Sequence, residues 1–462
     1  MLKLSRRVFL LAFVSIFLTF GCSGGSGTSS TTSSYFPVVV VSDVHFDPFY
    51  DASLFPALVA ADVSEWDRIF KTSNILVPSA WGKDANYPLL VLALSSIRQN
   101  LGASPLVIYT GDTLVHKFSQ TFYTLYYGSQ GVPTVPDPAA IAAMQAFVDK
   151  TIAFFMNQLG ASTEGLPVMF TLGNNDSYTD YVTESRFLSN TAEIFYSKCL
   201  NGTVDHQAFL DTYLSGGYYS AQPPETNLMV IGLNTNLFLE TSSAAAVELA
   251  WFDSRLAAAK AAGKKVWLLM HIPPGADIYS TAKLVDNKGH IASAQMMWNA
   301  DYQASFLQIL SKYPGIITLT LAGHTHMDEY RILSSNDVLD ITPGISPRSG
   351  NDPAYKVFTL SRDTLKATAY RSLNYDLATA PGQFNSYYTF GEAYSLQGLL
   401  NDSLVQLFPT LVTDNTKQTL YRGYYYSGYN SLNPITNTNW PVYWCGAGKM
   451  VQQEIVDCVN TY

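Results

Sequence analysis

Ile316-Ile317-Thr318-Leu319-Thr320-Leu321-Ala322-Gly323-His324-Thr325-His326 is an apolar run that ends in two histidines one residue apart. The run is short enough to be a buried strand. At its extended end the i and i+2 side chains point the same way, so both imidazoles can serve one site. The same construction recurs four times upstream. Pro37 to Val41 precedes Asp43-Val44-His45, Leu106 to Tyr109 precedes Gly111-Asp112, Val168 to Leu172 precedes Gly173-Asn174-Asn175-Asp176, and Val266 to Met270 precedes His271. Open α/β sheets build their sites at the carboxyl ends of their strands. A lone Gly-Asp reads as a turn, and a lone Asp-x-His as surface decoration. Five such clusters in series, each behind a strand, predict one shared site.

Aspartate, histidine and asparagine in this mixture suit a pair of divalent cations. Two cations a few ångströms apart repel, so one carboxylate must lie between them, while neutral imidazoles and carbonyls complete each shell. Of the seven histidines, four belong to this set and a fifth, His116, lies beside it. His206 and His290 read as ordinary loop residues.

The neighbours of these residues narrow the reading. Ser42-Asp43-Val44-His45-Phe46-Asp47-Pro48, Thr110-Gly111-Asp112-Thr113-Leu114-Val115-His116, His271-Ile272-Pro273-Pro274-Gly275, Gly323-His324-Thr325-His326-Met327-Asp328-Glu329 and Asp352-Pro353-Ala354-Tyr355-Lys356-Val357 resemble the calcineurin-like metallophosphoesterases. Within them they resemble the acid sphingomyelinase-like phosphodiesterases, from about Phe36 to Tyr375 and more weakly to the carboxyl end. The resemblance implies one metal held by Asp43, His45, Asp112 and His326, and a second by Asp112, Asn174, His271 and His324, with Asp112 as the bridge. Zinc is the expected metal, and manganese or iron would suit the same ligands. It further implies a phosphodiesterase, in which a metal-activated hydroxide attacks phosphorus in line and the leaving alkoxide takes a proton.

One departure from the family bears on that proton. Most relatives carry Gly-Asn-His-Asp or Gly-Asn-His-Glu where this chain has Gly173-Asn174-Asn175-Asp176. Asn175 is no proton donor; its expected role is a hydrogen bond from its amide to a phosphoryl oxygen. The same variant occurs in endopolyphosphatases that resemble this subgroup, so an endopolyphosphatase or nucleotide phosphatase is the alternative. A catalytically silent surface-binding protein on the same fold is the alternative from another class. His116, four residues after the bridging aspartate, matches a second family histidine and is the expected general acid.

The amino terminus predicts export. Lys3, Arg6 and Arg7 precede the apolar run Val8 to Phe20, too short to span a bilayer comfortably. Thr19-Phe20-Gly21-Cys22 resembles a bacterial lipoprotein cleavage box, and Ser5-Arg6-Arg7-Val8-Phe9-Leu10 resembles a twin-arginine signal. Residues 1–21 are therefore expected to be a signal peptide and Cys22 a lipidated residue. Residues 22–34, rich in Ser, Gly and Thr, would form a tether. The expected location is the bacterial cell envelope, periplasm or outer membrane, or the medium, with membrane contact only through that lipid. Three cysteines then remain in an oxidising compartment; Cys445 and Cys458 are the expected disulfide, in keeping with the cystines that close the last helical segment of related phosphodiesterases. Cys199 would be a buried thiol. Asp84-Ala85-Asn86-Tyr87-Pro88 lies where relatives carry a cysteine, so that cystine is missing.

Apolar runs alternate with helical periodicity at Pro88 to Gln99, Ala139 to Leu159, Ala244 to Ala262 and Asp301 to Ser311, and strand signals follow one another at Glu329 to Leu333, Lys356 to Leu360 and Leu365 to Ser372. The expected class is α/β: the two-sheet β-sandwich flanked by helices that the resemblance implies, over residues 35–375. A helical appendage is expected over residues 376–462, where tyrosines crowd at Tyr421, Tyr424, Tyr425, Tyr426 and Tyr429. Net charge of −9 with 14% charged residues excludes a nucleic-acid groove. The expected partner is a small-molecule or lipid phosphoester; nothing in the sequence assigns an oligomeric state. Tyr109, Phe49, Tyr50, Tyr178 and Tyr181 lie nearest the motifs as candidates to meet a leaving group, and Asp180 and Arg348 as candidates to orient substrate.

Overall fold

Among the described residues there are twelve strands, the apolar runs among them: β1 (Tyr35–Val41), β2 (Val107–Tyr109), β3 (Val168–Phe170), β4 (Tyr219–Ala221), β5 (Leu228–Gly232), β6 (Lys265–Leu269), β7 (Ile317–Ala322), β8 (Glu329–Ile332), β9 (Val338–Ile341), β10 (Ala354–Ser361), β11 (Ala367–Asn374) and β12 (Asn385–Thr389). The computed structural model describes residues 33–462 apart from residues 201, 224–226, 336, 380, 430 and 431. The leader, Cys22 and nearly all of the 22–34 tether lie outside the described residues.

Two six-stranded mixed sheets result, one in the order β12-β11-β10-β1-β2-β3 and the other β4-β5-β6-β7-β9-β8. β1, β2 and β3 run parallel, as do β5, β6, β7 and β9. Parallel strands covered on both faces must be apolar throughout, which is why these segments read as continuous hydrophobic runs. Alternation assigns the two faces of the second sheet. On β6, Trp267 and Leu269 enter the core shared with the first sheet, while Val266 and Leu268, with Met270 just beyond, pack under helices Ser243–Ala261 and Ala300–Lys312. Trp267 also donates its indole N–H to the Leu365 carbonyl between β10 and β11, 2.9 Å away. Helices Tyr87–Gln99 and Pro138–Ser162 join the same core, with Phe155 5.1 Å from the Tyr109 ring on β2.

One buried ion group also ties the sheets. Lys356 on β10 donates to Asp340 on β9 and reaches Asp328, each at 2.7 Å, and lies over the Tyr370 ring at 4.2 Å. Helices Leu400–Thr413, Asn415–Tyr425, Trp440–Gly448 and Gln452–Thr461 make up the carboxyl-terminal region, and Cys445 and Cys458 form a disulfide. The crowded tyrosines pack it down: Tyr424 stacks on Tyr388 of β12 at 3.8 Å, and Tyr421 meets Trp440 edge-on. β12 pairs with β11, so the first sheet draws on residues past Tyr375. Cys199 is buried and free. His206 is not in a loop: it opens helix His206–Gly216 and pairs with Glu193.

Glu248 on helix Ser243–Ala261 is fully buried, with Oε1 accepting the Asn234 N–H at 2.7 Å and Oε2 unpartnered among the described residues. Burial pushes this carboxyl well above its usual range, although the Asn234 hydrogen bond opposes the shift. A carboxyl raised on folding contributes stability below its unfolded value and loses it as pH rises. Glu248→Gln removes that loss. Its gain in Tm over wild type should therefore be greater at pH 8 than at pH 5, on the order of 2 °C; equal shifts at both pH values would show that Glu248 is not carrying this cost.

Candidate metal centre

The turns after β1, β2, β3, β6 and β7 meet at one edge of the sandwich, so both sheets contribute. Asp112 Oδ2 lies 3.3 Å from His45 Nε2 and 3.2 Å from His271 Nε2. On the His45 side, His45 Nε2 is 3.1 Å from His326 Nε2, and Asp43 Oδ1 is 3.8 and 3.6 Å from these two nitrogens. On the His271 side, Asn174 Oδ1 is 3.1 Å from His271 Nε2 and 2.7 Å from His324 Nδ1. All seven side chains named from the sequence are brought together, and all but that of the half-buried His324 are buried.

The hydrogen bonds on the far side of each ring determine what these atoms are. His45 Nδ1 faces the Leu114 carbonyl at 2.9 Å, His271 Nδ1 the Thr110 carbonyl at 2.7 Å and His326 Nδ1 the Ser346 carbonyl at 3.2 Å. A carbonyl can only accept, so in the neutral ring Nδ1 carries the proton and Nε2 presents a lone pair inward. In that neutral form, lone pairs of three imidazoles, two carboxylates and an amide oxygen face one another, answered only in part by the Asn175 amide at Asp112 and the His324 backbone N–H at Asp43. Such a set is repulsive alone and fits divalent cations. The charges agree. Burial opposes charge on His45 and His271, yet Asp112 beside them outweighs it and takes both up to about 9. Burial prevails at His324 and His326, which fall to about 4.

Holding acceptors this close strains the backbone. Asp43, His45, Asp112, His324 and His326 all have positive φ, between 43° and 75°. For residues other than glycine this costs ~1–2 kcal/mol each. Asp176, the last residue of its cluster, holds two turns together: it accepts the backbone N–H groups of Asp112 and Gly173 at 2.9 Å and of Thr113 at 2.8 Å. Two glycines permit the approach. A Cβ on Gly173 would lie 2.1 Å from Asp112 Oδ1, and one on Gly323 2.0 Å from Ser42 Oγ and 2.7 Å from Asp43 Oδ2.

Asn175 is not turned toward open space. Its backbone N–H donates to Asp112 Oδ1 at 2.7 Å and its side-chain amide to Asp112 Oδ2 at 2.9 Å, so one of its amide donors supports that carboxylate. His116 stacks on His45 with ring centroids 4.1 Å apart, and one of its nitrogens lies within 4.8 Å of one from each of His45 and His326. Its Nδ1 is 3.0 Å from Asp84 Oδ1, a partner with no signal in the sequence, since a lone aspartate before a helix carries no motif. Burial raises the Asp84 carboxyl, but the His116 hydrogen bond and the charges of His45, His116 and Arg348 outweigh it and bring it to about 2. Burial and the charge of His45 take His116 down, against Asp84.

Among the aromatic candidates, Tyr109, Phe49 and Tyr178 are buried in packing, and Tyr178 is bonded to Asp149. Tyr50 is half-buried on a different small pocket. Tyr181 is 54% exposed, its backbone N–H donating to the Asn174 carbonyl. Arg348 lies 3.6 Å from Asp84 and, with His324, lines a cavity of about 540 Å³. Asp277, Tyr279, Glu329, Tyr425, Tyr426 and Tyr443 also line it. The sequence showed the tyrosine crowding but not which of those rings turn toward the site.

Residues 36–328 match the calcineurin-like phosphoesterase family model. The chain belongs to this family. It is a metal-dependent hydrolase of phosphoric esters, and the family implies a dinuclear site for which the converging aspartates and histidines are the candidate ligands. Sphingomyelinase phosphodiesterase D of Dictyostelium discoideum is 26% identical over 434 residues, covering 85% of this chain and 89% of that protein. The cyclic GMP-AMP phosphodiesterase SMPDL3A of Rattus norvegicus is 24% identical over 451 residues, 91% of each. A dimetal phosphatase structure from Danio rerio matches with a TM-score of 0.40 at 12% identity, over 73% of this chain and 95% of that one.

Gly323→Ala should displace Asp43, lower kcat by roughly 100-fold and reduce bound metal. Elemental analysis and turnover on the same sample check this; full metal content with full activity would show that the close approach at Gly323 is dispensable.

Proposed function

We propose that this chain is a phosphodiesterase with a dinuclear centre, Asp43, His45, Asp112 and His326 holding one cation and Asp112, Asn174, His271 and His324 the other. The observation that carries the allocation is Asp112 Oδ2, set between His45 Nε2 at 3.3 Å and His271 Nε2 at 3.2 Å. Zinc is the proposed metal, with manganese and iron suited to the same donors. Bound there, two divalent cations would acidify water for attack on phosphorus and offset the charge that develops on the phosphoryl oxygens.

The remaining roles fall to the chain. Asn175 holds Asp112 through two hydrogen bonds and so fixes the shared carboxylate. His116, next to the ligands and 30% exposed at its side chain, protonates the departing alkoxide. The cavity beside His324 takes the organic part of the ester against its tyrosine walls. Asp277 and Glu329 line that cavity. The chain's net charge of −9 disfavours a long polyanion, which sets polyphosphate behind a small-molecule or lipid diester. The named relatives, a sphingomyelinase phosphodiesterase and a cyclic GMP-AMP phosphodiesterase, are diesterases by name. Export through residues 1–21, with a lipid on Cys22, belongs to the same proposal.

The test is turnover of bis-nitrophenyl phosphate, mono-nitrophenyl phosphate, sphingomyelin and long-chain polyphosphate by one zinc-loaded preparation. Diester cleavage is expected; cleavage of the monoester alone would overturn the assignment, and no cleavage of any of them would favour a silent binding protein. His116→Ala should lower turnover of diesters with poor leaving groups by about 100-fold or more, and of nitrophenyl diesters by much less, because nitrophenolate leaves without a proton. An equal loss with both would remove His116 from this role.

A further inference from the structure

Asp84 belongs to no motif, yet its carboxylate is 4% exposed and lies beside the centre. Its place is fixed from both directions along the chain. The Ala85 N–H donates to the His45 carbonyl at 3.2 Å, and the Asp47 N–H to the Ala85 carbonyl at 2.8 Å, so this segment is tied to the turn that carries His45. Two residues on, Asn86 caps helix Tyr87–Gln99 by accepting the Leu89 N–H. Around the carboxylate stand three donors. His116 Nδ1 lies 3.0 Å from Oδ1 and 3.2 Å from Oδ2, the Ser346 hydroxyl donates to Oδ1 at 2.9 Å, and the Arg348 guanidinium is 3.6 Å from Oδ2. Ser346 in turn presents its backbone carbonyl to His326 Nδ1. One short segment thus sets two rings of the site.

We infer that Asp84 is a positioning residue for proton delivery, fixing the His116 ring by Nδ1 so that Nε2 is the nitrogen turned to the substrate. The inference rests on the reading of His116 as proton donor. In that step the Nε2–H bond of the imidazolium breaks and an O–H bond forms on the departing alkoxide. The ring is left neutral with its remaining proton on Nδ1, where Asp84 already accepts it. The pair therefore needs no rearrangement between the two states. The position matters more in this chain because Asn175 stands where a second histidine could share the work. Among the described residues, His116 is the one imidazole beside the centre that the proposed ligand set leaves over. His206 sits on a distant helix start, paired with Glu193, and His290 lies in a loop.

Asp84→Asn retains the size of the side chain but can donate to Nδ1 as well as accept from it, so the tautomer is no longer fixed. The experiment measures kcat and KM of the zinc-loaded variant across a series of methyl aryl phosphodiesters, from phenol to dinitrophenol leaving groups, with His116→Ala in parallel. Expected is a loss in kcat of roughly 10- to 100-fold with phenol, shrinking to within about threefold with dinitrophenol, at unchanged KM and metal content. In nitrogen NMR of the metal-free wild type, His116 should show a protonated Nδ1, and Asp84→Asn should shift that signal. An equal loss across the series in Asp84→Asn, while His116→Ala shows the graded loss, would overturn the inference and leave the proton donor in place. A flat loss in His116→Ala itself would instead remove the donor, and Asp84 with it. Where Asp84→Asn loses metal, Ser346→Ala supplies the second variant: it removes one hydrogen bond from the carboxylate, so a smaller graded loss is expected there and a flat response overturns the inference.

Discussion

Lone pairs that face lone pairs govern this molecule. With the imidazoles neutral, as cation binding requires, three ring nitrogens whose protons are committed to backbone carbonyls, two ionised carboxylates and an amide oxygen crowd within about 4 Å of their neighbours; without cations, protons on His45 and His271 answer part of that repulsion. A chain assembles such a cluster only if something larger forces the turns together. Here that force is the apolar burial of two sheets whose strand ends coincide, with Asp176 bonding the turns after β2 and β3 to each other. The left-handed backbone at five of the proposed ligands is a second cost borne by the same core. Bound cations would relieve the repulsion, so the folding of this edge and the filling of its site are linked.

The parts of the fold that were legible in the sequence are those where chemistry and burial coincide. β1, β2, β3, β6 and β7 each combine a doubly buried apolar run with a residue type that binds metal, and each signal strengthens the other. β5 is as apolar as these, but Leu228–Gly232 leads into no ligand, and its role in the sheet had no second signal. β9 and β12 lead into no ligand either, and β12 carries tyrosines that read as surface packing. The long helices were legible from their period. The helix His206–Gly216 was not, because its first residue reads as a loop histidine until the Asp205 cap is seen in place.

The site divides along the same line. Ligand identity follows from residue type and order, whereas direction depends on tertiary neighbours. Asn175 was readable as a departure from the family, but that its amide turns to Asp112 follows from how the turns after β2 and β3 meet. Asp84 reaches His116 across 32 positions of sequence, and nothing local marks it. Tyr109 and Tyr178 are near the motifs in sequence and turn away into the core, while Tyr425, Tyr426 and Tyr443, far along the chain, border the cavity.

That last contrast separates two pieces of chain. The groups proposed to bind metal and move protons sit on turns of the sandwich, held from behind by the Lys356 ion group. Part of the cavity wall, Tyr425, Tyr426, Leu432, Asn433 and Tyr443, comes from the carboxyl-terminal region, where helix Trp440–Gly448 is fastened to the last helix by the Cys445–Cys458 bridge. On the proposed function, this region contributes to selectivity without supplying a metal ligand, although His324 and its neighbours share the same wall. Drift in that region would, on the same proposal, retune which ester is admitted and leave the ligand-bearing turns untouched, a division of labour that lets one scaffold diversify its diet without reinventing its chemistry.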